Sequence, residues 1–173
     1  SGKHLGAFGL TEPNAGTDAA GTQTKARLDG DQWVLDGSKI FISGGGIADV
    51  YIIMAMTDKS KGTKGISAFI VEKGTPGFTA PKHENKMGIR GSIAAELVFE
   101  ECRIPKENLL GQEGKGFKVA MSSLDVGRLG IAAQALGIAQ GAFDETVKYM
   151  KQRKQFGRSL DKFQALSFEM ASM

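Results

Sequence analysis

Cysteine and histidine are scarce in this chain: 173 residues contain one cysteine, Cys102, and two histidines, His4 and His83. A single thiol excludes an intrachain disulfide and fits a reducing compartment. Two histidines distant in sequence, with no H-E-x-x-H pattern, leave a transition-metal site without a candidate cluster. No stretch approaches the roughly 18 consecutive apolar residues of a membrane span, and Ser1-Gly2-Lys3-His4 carries no signal-peptide apolar core. Lysine and arginine number 22 against 19 acids, a net charge of +3, but the two signs are interspersed. No basic run interleaves with aromatics, so the pattern speaks against a nucleic-acid partner.

What is present is a 41% hydrophobic composition, enough for one ordinary domain or two small ones. From Leu5 to about Glu101 the text reads as six to eight short strands. Gln32-Trp33-Val34-Leu35 and Glu96-Leu97-Val98-Phe99 alternate, while the apolar runs at 50–55 and 66–71 suggest strands buried on both faces. Asp29-Gly30-Asp31, Asp36-Gly37 and the glycine-rich run at 62–65 read as hairpin turns, and Thr75-Pro76-Gly77 as a loop. The expected fold class is therefore α+β, opening with a compact antiparallel β-barrel or sandwich.

At Gly116 the texture changes. From Phe117 to about Gln152 there is no proline, and Met121, Leu124, Ile131, Ala135, Ile138, Ala142 and Phe143 recur at helical spacing, predicting one long helix. At 1.5 Å per residue it would run about 50 Å, more than a small domain needs, which suggests a helical bundle. Gly127, Gly130, Gly137 and Gly141 each disfavour a helix interior by roughly 1 kcal/mol relative to alanine. Close helix packing or ligand approach would offset that. A second helix is expected to begin near Ser159-Leu160-Asp161 and is still amphipathic at Met173, as in a segment of a longer protein. The expected division is a β domain over residues 1–115 and the first helices of a bundle over residues 116–173.

Phe8-Gly9-Leu10-Thr11-Glu12-Pro13-Asn14-Ala15-Gly16-Thr17-Asp18 joins an apolar strand end to a rigid turn. Pro13 fixes φ, and Asn14 and Gly16 tolerate left-handed backbone, so the turn would present the hydroxyls of Thr11 and Thr17 to one side. By itself this is an ordinary turn. In one order there follow Gly37-Ser38-Lys39-Ile40-Phe41-Ile42-Ser43-Gly44, Asp125-Val126-Gly127-Arg128, Arg153-Lys154-Gln155-Phe156-Gly157 and Phe163-Gln164. The ensemble, from about Leu5 to about Met170, resembles the acyl-CoA dehydrogenases, flavoenzymes that oxidise an acyl thioester between its α and β carbons. The likeness is greatest to the short-chain, butyryl-CoA type.

The resemblance implies FAD as cofactor. It places the segment containing Phe8, Leu10 and Thr11 along the polar edge of the flavin, and Thr17 against both cofactor and thioester ligand, where relatives more often carry serine. Phe41, Ile42 and Ser43 match the second flavin-contacting strand, with Phe41 where many relatives carry tryptophan; the aromatic wall is kept and the indole donor lost. Arg153, Gln155 and Phe156, at the end of the long helix, with Phe163 and Gln164, match contacts to the pyrophosphate and adenine half of a flavin held mainly by a neighbouring subunit. A planar guanidinium suits that task because it can pair two phosphate oxygens. Cations in a last helical turn also simply favour the helix dipole.

Asp125 and Arg128, three apart on one helix face, match the family pair beside the CoA pantetheine; an i,i+3 ion pair is the plain alternative. The resemblance further implies a carboxylate that takes the α proton. In most of the family this glutamate lies well downstream, beyond Met173. In a minority it precedes the arginine matched by Arg128, where this chain has Gly127. The sequence thus contains no recognisable catalytic base, and Glu12 reads as structural. The implied partners are an acyl-CoA substrate, an electron-transfer flavoprotein and further copies of the chain in a homotetramer. A noncatalytic flavin- or acyl-CoA-binding domain and a flavin oxidase of the same superfamily remain open alternatives.

Overall fold

β-branched and aromatic residues at strand spacing draw the first part of the chain into a sheet. The computed structural model describes residues 2–173 and separates into two units after Ser122, each described by itself. In the first unit β1 (Gly6–Gly9), β2 (Lys25–Asp29), β3 (Gln32–Ser43), β4 (Val50–Met56), β5 (Ile66–Glu72), β6 (Phe78–Thr79) and β7 (Ala94–Pro105) form one sheet in the order β1-β4-β2-β3-β7-β6, with β5 added on β4. The α+β class holds, with one refinement. β1 runs parallel to β4, from Gly6↔Val50 to Gly9↔Ile53, and β2 meets β4 in parallel at Lys25↔Met56. The remaining pairings are antiparallel. β5 pairs with β4 from Val50 to Met56, so β1 and β2 follow one another along its other edge, and the sheet curls.

Gly30, with φ +60°, turns β2 into β3 beside Asp31, as the Asp-Gly signal predicts. The glycine-rich run at 62–65 likewise lies between the antiparallel β4 and β5. Asp36-Gly37, expected as a turn, instead lies inside β3, because β7 pairs on both sides of it, at Leu35↔Cys102 and Gly37↔Phe99. The extra residue there belongs to β7, where Glu101 takes φ +46° and its bulged N–H donates to Asp36 Oδ1 at 2.7 Å. A second bulge falls between Lys39↔Leu97 and Ile42↔Ala95, with the extra residue in β3.

Trp33, Val34 and Leu35 are all buried, so the expected alternation at the start of β3 gives way to a strand covered on both faces. The core gathers Trp33, Tyr51, Ile53, Phe69, Leu97 and Phe99 among its larger members. Phe78 stacks on Phe99 at 5.0 Å and meets Tyr51 edge-on at 4.8 Å, a geometry that adds about 0.5–1.5 kcal/mol per pair beyond area burial.

α1 (Gly116–Gln152) is the long helix expected, and the division between units falls within it. In the second unit its apolar residues Val126, Leu129, Ile131, Leu136 and Ile138 are exposed, and a Cβ on Gly127, Gly130, Gly137 or Gly141 would meet nothing within 4 Å. After the helix, β8 (Lys154–Gln155) and β9 (Arg158–Ser159) form a small hairpin. A 3₁₀ turn (Leu160–Lys162) then precedes α2 (Gln164–Ser172). The second helix thus starts later than the sequence suggests, because Phe163 is extended, with φ −94° and ψ 115°.

Candidate functional site

The two predicted flavin segments meet through hydrogen bonds outside the sheet ladders. The Ile40 N–H donates to the Thr11 carbonyl at 2.9 Å, and the Lys39 ammonium donates to the Leu10 carbonyl at 3.1 Å. The turn beyond closes through Glu12 N–H to Ala15 O at 3.0 Å and Ala15 N–H to Glu12 O at 3.1 Å, with Pro13-Asn14 at its tip. Neither Asn14 nor Gly16 takes the positive φ that both tolerate. The two reciprocal bonds close the turn without left-handed residues.

Leu10 and Ile42 are buried in the core, whereas Phe8 and Thr11 are partly buried and Thr17 and Ser43 are exposed. Leu10 and Ile42 therefore offer a ligand only backbone groups. Phe41 is the residue of the β3 bulge, with φ +58° and 62% of its surface exposed. A bulky side chain in left-handed backbone is strained by about 1–3 kcal/mol and is most often found where function demands it. The hydroxyls of Thr11, Thr17 and Ser43 have no hydrogen-bond partner among the described residues. An exposed aromatic next in the chain to Ile40, which bonds Thr11, on segments that carry unengaged hydroxyls fits a flat ligand with a polar rim.

The segment's polar underside is closed by a buried ion pair. Lys39 is fully buried and Glu12 nearly so, with Nζ 2.7 Å from Oε1. Glu12 also accepts from the N–H groups of Gln23 at 2.6 Å and Thr24 at 3.0 Å. Burial by itself would raise the Glu12 carboxyl; the Lys39 charge and these donors reverse that and hold it below its ordinary value. Burial likewise draws the Lys39 ammonium down, with Glu12 opposing.

In the second unit the long helix ends at Gln152, so Gln155 and Phe156 lie in the hairpin, not on the helix. Phe156 and Gly157, at φ +51° and +74°, make its two-residue loop. Both central residues of such a loop need positive φ, which is why Gly157 ends the helical pattern here. Phe156 is 93% exposed and lies edge-on to Phe163 at 6.3 Å, while the Arg158 guanidinium sits 4.1 Å over the Phe163 ring. Arg153 and Gln164 are exposed, and the Arg153 backbone joins helix to hairpin through Arg153 N–H to Tyr149 O at 2.8 Å and Leu160 N–H to Arg153 O at 3.0 Å. Asp125 and Arg128 form an exposed i,i+3 ion pair at 2.7 Å.

Residues 7–102 match the model of the acyl-CoA dehydrogenase middle domain, and residues 114–173 that of the acyl-CoA dehydrogenase C-terminal domain. The chain belongs to the acyl-CoA dehydrogenase family. It is 64% identical to a short-chain specific acyl-CoA dehydrogenase of Clostridium acetobutylicum over 99% of its own length and 45% of the relative's. Butyryl-CoA dehydrogenase from Megasphaera elsdenii superposes with a TM-score of 0.93 at 62% identity, covering 98% of this chain and 44% of that one. A chain in a structure described as the electron transferring flavoprotein of Acidaminococcus fermentans superposes at 0.94 with 65% identity, covering 99% and 45%. The acyl-CoA dehydrogenase chain thus spans about half the length of the relatives it matches.

Sequence reasoning missed two features of this acyl-CoA dehydrogenase chain. Lys39 stands in the sequence only as part of a motif, because a strand lysine is usually solvated and its partner Glu12 lies 27 positions away. Arg158, next to the Phe-Gly turn, had no signal separating it from other exposed cations. Among the described residues no group of three or more His, Cys, Asp or Glu side chains is placed to hold a metal, and no helix is long and apolar enough to cross a membrane.

Proposed function

We propose that this chain supplies flavin- and acyl-CoA-contacting surfaces of an FAD-dependent short-chain acyl-CoA dehydrogenase, which converts a short acyl-CoA to its 2,3-enoyl-CoA. The observation that carries the reading is the Thr11–Phe41 edge: two segments joined by one backbone bond, with free hydroxyls beside an aromatic held outward in strained backbone. When bound, the flavin supplies the acceptor for the hydride leaving the β carbon. Thr11 and Ser43 would bond the polar rim of the ring, Phe41 would cover its edge, and Thr17 would reach both the ring and the thioester. The backbone of Leu10 and Ile42 would pass beside the ring, as would Phe8. Arg153, Gln155, Phe156, Phe163 and Gln164 would receive the pyrophosphate and adenine half, where a guanidinium pairs two oxygens. Asp125 and Arg128 would border the pantetheine.

Position 127 is glycine, so it offers no carboxylate for the α proton, and the reading assigns that role to none of the residues named above. By itself the chain is expected to bind without turnover. The match to a chain in a structure described as an electron transferring flavoprotein supports such a protein as electron acceptor for the whole enzyme. The exposed apolar side of α1 supports burial against further helices or copies of the chain, consistent with a tetramer.

The deciding experiment is the visible absorption spectrum of the purified chain after incubation with FAD and gel filtration, run beside a longer protein containing it. A flavin band on both assigns binding to these segments. A band on the longer protein alone assigns it to surfaces made with other segments, and a band on neither overturns the reading.

A further inference from the structure

The buried Glu12–Lys39 pair raises a question of energetics. Taking two charges out of water costs several kcal/mol per ion, and replacing such a pair by packed apolar side chains is often neutral or stabilising. Stability by itself therefore does not account for a fully buried lysine between two β-segments. What an apolar pair cannot do is bond backbone groups and so set where separate segments lie.

Here the pair reaches three segments. Lys39 Nζ donates to the carbonyl of Leu10 at 3.1 Å and to Glu12 at 2.7 Å, thus holding the residues on either side of Thr11. The Glu12 carboxylate accepts from the N–H groups of Gln23 and Thr24, and Thr24 Oγ1 donates to the Ser38 carbonyl at 3.1 Å. Ser38 and Lys39 are the last paired residues of β3 before the bulge that carries Phe41 outward, and Ile42, anchored in the core, is the first after it. One buried cation therefore ties Thr11 on one side and the Phe41 bulge on the other. Among the described residues neither Thr11 nor Phe41 has a side-chain hydrogen bond, and neither belongs to the buried core.

We propose that the Glu12–Lys39 pair positions the flavin-binding edge, setting the placement of Thr11 relative to Phe41 through backbone bonds that an apolar replacement would not make. The proposal rests on the flavin reading given above. Glu12 and Lys39 are positioning residues: their polar atoms are enclosed by protein and act on the ligand through Leu10, Thr11 and the bulge.

The test compares Glu12→Gln, Lys39→Met and the double variant in the longer flavoprotein containing this sequence. The readouts are melting of the apoprotein, the FAD dissociation constant on reconstitution, and the flavin reduction potential by spectroelectrochemistry. Each single variant is expected to lower the melting temperature, since it leaves a buried group without its partner. The double variant is expected to melt above either single variant, since it leaves no buried charge unpaired, yet to bind FAD roughly ten-fold or more weakly than the native protein, with a shifted reduction potential. A double variant with native affinity and potential overturns the proposal, as does one that fails to fold, which would assign the pair to the fold. Loss of flavin from the native protein would instead strike the functional reading itself, so the two failures are told apart.

Discussion

Phe41 and Ile42 are neighbours in β3 with opposite fates: Ile42 is 3% exposed within the core, and Phe41 is 62% exposed at φ +58°. The bulge that separates them turns one side chain outward without breaking the pairing of β3 with β7. Such an arrangement trades backbone strain for an exposed aromatic.

It follows that Phe41→Gly should relieve strain and raise stability by up to about 1 kcal/mol, since glycine accepts positive φ, while weakening flavin binding. Urea denaturation and FAD titration of the same variant check both arms. A loss of stability would show that Phe41 packs against something that outweighs its strain.

Two glycines of α1 should respond oppositely to alanine. A Cβ at Gly116 would lie 2.3 Å from the Ser67 carbonyl carbon and 2.7 Å from the Ala68 nitrogen, whereas one at Gly127 meets nothing within 4 Å. Gly116→Ala is expected to destabilise the chain by about 1–3 kcal/mol, because backbone must move to admit the methyl group. Gly127→Ala should favour the helix by about 1 kcal/mol. Circular dichroism during thermal unfolding distinguishes them, and equal effects at both positions would contradict the packing at Gly116.

Cys102 should be inert in the folded protein. It is fully buried, and burial, with the Asp36 charge adding, pushes its thiol up to about 11 from an ordinary 9.0. Because the folded value is raised, its contribution to stability is complete below pH 9.0 and is lost as pH rises from there through about 11. Ellman's reagent at pH near 8 should therefore label no thiol natively and one in denaturant. Rapid native labelling would contradict the burial.

Asp58 makes the opposite prediction in acid. The Lys61 ammonium and the Ser60 hydroxyl and N–H hold its carboxyl down at about 2, against burial, which raises it. With a depressed folded value, its contribution is present above the ordinary 3.8 and is lost as pH falls from there through about 2. A carboxyl carbon titration by NMR should find that midpoint, and one near 3.8 would show that the Lys61 contact does not persist in solution.

Much of this was legible along the chain. The β-to-α change at Gly116, the Asp-Gly turn at Gly30 and the long helix follow from local pattern, since turn chemistry and helical spacing act over a few residues. Glu12 was legible as structural because a carboxylate among turn residues more often caps backbone than reacts, and it does bond two N–H groups. Asp36-Gly37 misled because the same dipeptide serves a turn and a strand facing a bulge; only pairing with β7 separates them. Phe156-Gly157 misled for the same reason, since helix end and hairpin turn both call for glycine.

By itself the sequence determined which residues are apolar, where the chain must turn and which ordered motifs relate it to the acyl-CoA dehydrogenases, because those properties are local or additive. Only the tertiary structure decided that β1 runs parallel to β4, that Phe41 takes the bulge, and that Lys39 finds Glu12 across 27 positions. Each depends on contacts between segments remote in the chain. Their energies, a desolvated pair and a strained dihedral, exist only once the sheet has closed around them.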